Sequence, residues 1–133
     1  MVVGLPRGGV PVAAVVAGHL GKPLDIIGVR KLGAPGQEEM AMGAIGEGGV
    51  EVMNDALCRH LGVSDADIAR VEAEQQDVLS KRLTLFRSGR PELSLEGVKA
   101  VIVDDDLATG ATAKVACEHN VARKTRLSFS TNR

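Results

Sequence analysis

At 133 residues the chain has the length of one domain, with enough residues to bury a single core. Its 16 basic and 17 acidic residues leave a net charge of −1, so no excess of positive charge points to nucleic acid or to an anionic membrane. Hydrophobic residues make up 44% and aromatic ones 2%, which indicates a globular chain without the stacking platforms that single-stranded nucleic acid uses.

Val2–Leu5 is a short apolar run stopped by Pro6 and reads as a buried strand. Arg7-Gly8-Gly9 is a turn. Val10–Leu20 is rich in Ala and Val, has Pro11 in its first turn and Gly21 beyond its end, and predicts a helix. Leu24–Arg30, LDIIGVR, predicts a second buried strand. Lys31–Gly49 carries glycines at 33, 36, 43, 46, 48 and 49 and reads as a Gly-rich mobile loop. Val50–Met53 alternates apolar and polar residues and suits a hairpin arm. Ser64, with Asp67 three residues on, resembles a capping box. Ile68, Val71, Gln75, Val78, Leu79, Leu83 and Phe86 follow at helical spacing, predicting an amphipathic helix of about five or six turns that ends near Ser88-Gly89. Val98–Val103 predicts a third buried strand, and a further helix should open at Gly110. Beyond Cys117 neither apolar period persists. Residues 1–117 are therefore expected to form the domain and 118–133 an irregular tail.

No apolar stretch reaches the ~20 residues that span a bilayer, and no leader pattern precedes the first strand. Cys58 and Cys117 have no metal-like spacing, which suits inert thiols in a reduced, cytoplasmic compartment. His19, His60 and His119 are scattered. Glu38, Glu39 and Glu47 read as solvated loop charges, and Met40 and Met42 as packing residues.

Strands that are apolar along their length and alternate with helices indicate an α/β fold with a parallel sheet flanked by helices. Ligands bind such sheets beyond the carboxyl ends of the strands, a rule that gathers Pro6–Gly9, Arg30–Gly36 and Asp104–Thr112 at one rim. The last of these stretches holds the densest chemistry. Residues 101–113 read VIVDDDLATGATA, an apolar strand followed at once by three carboxylates and then by small and hydroxyl residues. Adjacent like charges repel, so packing alone does not explain Asp104-Asp105-Asp106. The small residues of Ala108, Thr109, Gly110, Ala111 and Thr112 suit a phosphate cradle, with backbone N–H groups and hydroxyls converging on an anion at a helix N-terminus. An ordinary strand-to-helix turn with a Thr cap would use the same residues. No Gly-Lys-Ser/Thr occurs there, so the stretch is not a Walker A loop.

Asp-Asp followed by Thr-Gly-Ala-Thr after an apolar strand resembles the phosphoribosyl pyrophosphate (PRPP) motif of the type I phosphoribosyltransferases. GLPRGGVPVAA at 4–14 and VRKLGAPGQEEMAMGAIGEGG at 29–49 resemble two further segments of a bacterial subgroup of that family. The resemblance implies that Asp104 and Asp105 contact the ribose hydroxyls and that Ala108 to Thr112 hold the 5′-phosphate. It implies also that Arg7, Gly8 and Gly9 hold pyrophosphate and that Arg30 and Lys31 supply cations beside it. Mg²⁺ is implied as a cofactor, held mainly by PRPP and in part by Asp104 and Asp105. The implied function is transfer of phosphoribose from PRPP to a nitrogenous base. A PRPP- or nucleotide-binding regulatory module without turnover, or an inactive truncated paralogue, would carry the same motifs. Asp106 stands where the subgroup usually has Gly. Against the family the chain reads as shortened at both ends, with its C-terminal part incomplete. The strand bearing the motif would then be left with an open edge, which favours a homo-oligomer.

Overall fold

A computed structural model describes residues 1–91, 97–105, 112, 115–116 and 127–128. Two sheets build the molecule. The first is parallel, in the order β2-β1-β6-β7, from β1 (Val2–Gly4), β2 (Leu24–Ile26), β6 (Ala100–Val103) and β7 (Leu127–Ser128). Its centre is apolar: Val2, Val3 and Ala100 are fully buried, whereas Leu24 in β2 is exposed. Helix α1 (Gly9–Leu20) packs on this sheet through Ala13 and Ala17, which join Val2 in one apolar cluster. Gly21 stops the helix in the left-handed conformation at φ 59°.

The second sheet is antiparallel, in the order β3-β4-β5, from β3 (Val29–Ala34), β4 (Gln37–Gly46) and β5 (Glu51–Met53). Here two expectations change. The run Leu24–Arg30 is not one strand. It pairs with β1 up to Ile26, breaks at Ile27-Gly28, and resumes as β3 in the other sheet. Polar anchors hold the break: the Gly28 N–H donates to Glu47 Oε1 at 2.6 Å, and Arg87 reaches the Ile26 carbonyl at 3.3 Å. An unbroken apolar run conceals such a change of partner. The stretch 31–49, expected to be a loop, is mostly a hairpin. Pro35-Gly36 makes its two-residue turn between the paired Ala34 and Gln37, with Gly36 at φ 74°, a position that suits Pro followed by Gly. The glycines read as loop, but the interspersed Leu32, Ala34, Met42, Ala44 and Ile45 are buried and drive pairing.

Glu47 is likewise not solvated. It is 9% exposed, in the 3₁₀ turn Glu47–Gly49, and its carboxylate takes Arg87 Nη2 at 2.7 and 2.9 Å. Met42 packs as expected, whereas Met40 is 40% exposed.

Helix α2 (Asp55–Leu61) lies between two signals that the apolar pattern does not show: Asn54 Oδ1 accepts from the Leu57 N–H at 3.1 Å, and Gly62 closes the helix at φ 65°. Helix α3 (Asp65–Arg87) starts as its cap predicts, with Ser64 Oγ accepting from the Asp67 N–H at 3.1 Å. Val71 and Leu79 of α3 pack with Leu32, Met42, Ile45 and Cys58 in a second core that ties the antiparallel sheet to its helices. A third cluster, with Val3, Ile27, Val29, Ala44 and Val115, joins the two sheets. Residues 112, 115 and 116 have helical backbone, in keeping with a helix after the motif. Within the expected tail, β7 pairs with β6 over Ala100↔Leu127 and Val101↔Ser128, so the edge of β6 expected to be open is occupied there.

Candidate functional site

The carboxyl ends of β1 and β6 lie side by side, with Gly4 opposite Val103. The chain leaves β1 into the Pro6–Gly8 turn and leaves β6 into Asp104-Asp105. These two turns are pressed together. A Cβ on Gly8 would collide with the Asp105 carboxylate, so a side chain there would displace that carboxylate from its present position. Gly9 is buried as the first residue of α1, and its N–H donates to the Leu5 carbonyl at 3.0 Å. Arg7 is exposed on the turn.

A cleft of about 780 Å³ opens beside these turns. Its floor is Leu5, Pro6, Asp104, Asp105 and Thr112. Its far wall is the β3–β4 hairpin, which contributes Arg30, Lys31 and Glu38, and the side facing α3 carries Arg70, Glu74 and Gln75. The structure thus brings together Asp104, Asp105, Thr112, Arg30 and Lys31 in one cavity. Arg7, Gly8 and Gly9 stand at its edge rather than among its walls. Ala108, Thr109, Gly110 and Ala111, like Asp106, lie outside the described residues.

The electrostatics are uneven across the cleft. Burial pushes the Asp104 carboxyl above the usual aspartate range. The Asp105 N–H, donating to Asp104 Oδ1 at 2.9 Å, and the charge of Lys31 oppose that rise, while the Asp105 carboxyl adds to it. On the other wall the Arg30 guanidinium is pushed down by burial, and then by the charges of Arg82 and Arg7. Among the described residues the Thr112 hydroxyl, which lines the same cleft, is buried without a hydrogen-bond partner. A buried hydroxyl left unpaired is costly, and a ligand oxygen in the cleft would supply what it lacks.

Sequence reasoning did not find the contribution of α3. The helical spacing places Gln75 among the apolar positions of α3, yet its Oε1 accepts from Arg30 Nε at 3.0 Å and Nη2 at 2.7 Å. A glutamine in a row of Ile, Val and Leu was the available signal.

The family model for the phosphoribosyl transferase domain matches residues 1–124. Two Mycobacterium tuberculosis proteins, named "Putative phosphoribosyl transferase MT0597" and "Putative phosphoribosyl transferase Rv0571c", from strains CDC 1551 and H37Rv, are each 54% identical over 118 residues. That match takes in 89% of this chain but 27% of each relative, so the chain spans about a quarter of their length. Among solved structures, the crystal structure of TT1426 from Thermus thermophilus superposes with a TM-score of 0.73 at 43% identity, over 96% of this chain and 61% of that one. The chain belongs to the phosphoribosyl transferase domain family, as its parallel sheet and the motif at the end of β6 anticipate.

Proposed function

We propose that the cleft binds PRPP and that the chain transfers its phosphoribosyl group to a nitrogenous base, releasing pyrophosphate. The observation that carries this reading is the contact of the Gly8 turn with Asp105 over a cleft lined by Asp104 and Asp105 and also by Arg30 and Lys31. A sugar bearing hydroxyls and phosphates asks for both. Asp104 and Asp105 accept hydrogen bonds from the ribose hydroxyls, and these bonds favour the ionised form of Asp104 that burial penalises. Thr112 donates its unpartnered hydroxyl to the 5′-phosphate.

In the reaction a base nitrogen directs its lone pair at C1 of the ribose. The C1–O bond to pyrophosphate breaks, with its electron pair leaving on the pyrophosphate oxygen, and the positive charge gained by the attacking nitrogen is removed as its proton passes to water. Charge builds on the leaving group and the sugar carbon becomes oxocarbenium-like. The protein's task is then to fix the ribose and to neutralise the leaving group, with no covalent nucleophile. Two adjacent carboxylates are hard oxygen donors that suit Mg²⁺, but among the described residues no group of three or more His, Cys, Asp or Glu could hold a metal ion. Mg²⁺ would share its coordination between Asp104 or Asp105 and substrate oxygens, and when bound it would neutralise diphosphate charge.

Mixing the protein with PRPP, Mg²⁺ and a panel of purine, pyrimidine and other nitrogenous bases tests the reading. Release of pyrophosphate dependent on one base is expected. PRPP binding with no release for any base would overturn the transferase in favour of a binding module, and absence of PRPP binding would overturn both.

A further inference from the structure

Glu38 and Glu39 are neighbours on β4, and successive side chains of a regular strand point to opposite faces. Both nevertheless line the cleft. The register shows how. Ala34 pairs with Gln37 and Gly33 with Ala41, so Glu38, Glu39 and Met40 have no partner on β3 and form a bulge. Bulges re-aim side chains and recur beside active sites. A Cβ on Gly33 would lie 2.6 Å from the Glu38 carbonyl oxygen, so glycine at 33 is what lets the bulge rest against β3. The same cleft contains the buried Thr112 hydroxyl, which lacks a partner among the described residues, a second and independent sign that it takes a ligand.

Other charges of the cleft are already engaged. Arg70 pairs with Glu74 at 3.2 Å, and the Arg30 guanidinium is held by Gln75. The Glu38 and Glu39 carboxylates have no hydrogen-bond or ion-pair partner among the described residues. They repel phosphate, so the part of a ligand that meets them is not a phosphoryl group. The proposed function sets the ribose against Asp104 and Asp105, which leaves the acceptor base. None of the described lining residues is aromatic, so a planar base finds no ring to stack on and is held by its edge. An ionised carboxylate only accepts hydrogen bonds, so that edge must donate them. We infer that Glu38 and Glu39 select the acceptor, and that it is a base presenting an exocyclic amino group, rather than an oxo group or a carboxylate, on the edge that faces them. The inference rests on the proposed function and narrows the class of base it uses.

Nucleoside 5′-monophosphates place ribose, phosphate and base in one molecule, so their binding tests this without turnover. Calorimetric titration into the whole chain compares guanosine with xanthosine 5′-monophosphate and cytidine with uridine 5′-monophosphate, pairs that exchange an amino for an oxo group. The amino member of at least one pair should bind about tenfold tighter, the scale of a hydrogen bond to a charged group. Glu38→Ala combined with Glu39→Ala should bring that pair to within about twofold. Both residues are exposed, so the double variant should keep the parent's melting temperature and its affinity for ribose 5-phosphate. Equal affinities in both pairs, or preference for the oxo members, would overturn the inference and leave the transferase reading standing where PRPP still binds. A parent-like preference in the double variant would overturn the role of the two glutamates. A parent protein that binds neither PRPP nor any of these nucleotides would overturn both readings together.

Discussion

Gly8 has no room for a side chain because the Asp105 carboxylate occupies the space. Alanine there must displace the Asp105 carboxylate from the place it holds at the cleft. Gly8→Ala should lower kcat/KM for phosphoribosyl transfer by about 100-fold, the cost of a misplacement near 1 Å, which steady-state kinetics would read. Thr112→Val replaces an unpartnered buried hydroxyl with a methyl group. The ligand-free protein should be as stable or more stable, and PRPP binding weaker by about 1 kcal/mol, as a thermal melt and a titration would show. Asp104 supplies a pH signature. Its folded pKa is raised, chiefly by burial, so the folded protein keeps this proton at pH values where the unfolded chain has lost it. Its contribution to stability therefore falls as pH rises from the ordinary aspartate value of 3.8 through the raised folded value. Asp104→Asn should be more stable than the parent above that window and gain nothing below it, which melting curves across acidic and neutral pH would reveal.

At the scale of elements, α3 does two jobs. Its apolar face fixes the antiparallel sheet, and its polar residues reach the cleft and the joint between sheets. The Glu47–Arg87 pair at that joint is 9% and 16% exposed at its side chains, so each ion depends on the other. Glu47→Leu strands a buried guanidinium and should cost about 3–5 kcal/mol in chemical denaturation. Glu47→Leu with Arg87→Met should recover much of that loss, because neither charge remains to be buried alone. The cap at Ser64 and the end of α1 at Gly21 were legible in the sequence because both signals are local. The break at Gly28 was not, since LDIIGVR is apolar on either side of it and the anchors come from Glu47 and Arg87, far along the chain. The Gly-rich hairpin is hidden in the sequence for a related reason. Its glycines dominate the composition, while its pairing is driven by buried Leu32, Met42 and Ile45 that meet α3 only in the folded chain.

Across the whole molecule, the site arises where the parallel sheet's rim faces the antiparallel sheet. The rim rule for parallel sheets placed Asp104, Asp105 and Thr112 with Arg30 and Lys31, because each follows the end of a strand or the break after one. The wall from α3 was beyond that rule. Gln75 meets Arg30 across 45 residues of sequence, and no local pattern encodes such a contact. No helix among the described residues is long and apolar enough to cross a membrane, which agrees with the hydropathy of the sequence. The cleft joins both sheets, so ligand binding should also tie them together thermally. The most direct test is calorimetric titration of PRPP with Mg²⁺ into the parent and into Asp105→Asn. Saturable binding at one site per chain, weakened by about 1–3 kcal/mol in the variant, is predicted from the loss of a charge-assisted hydrogen bond. PRPP that fails to bind, or that binds parent and variant alike, would contradict the assignment of this cleft.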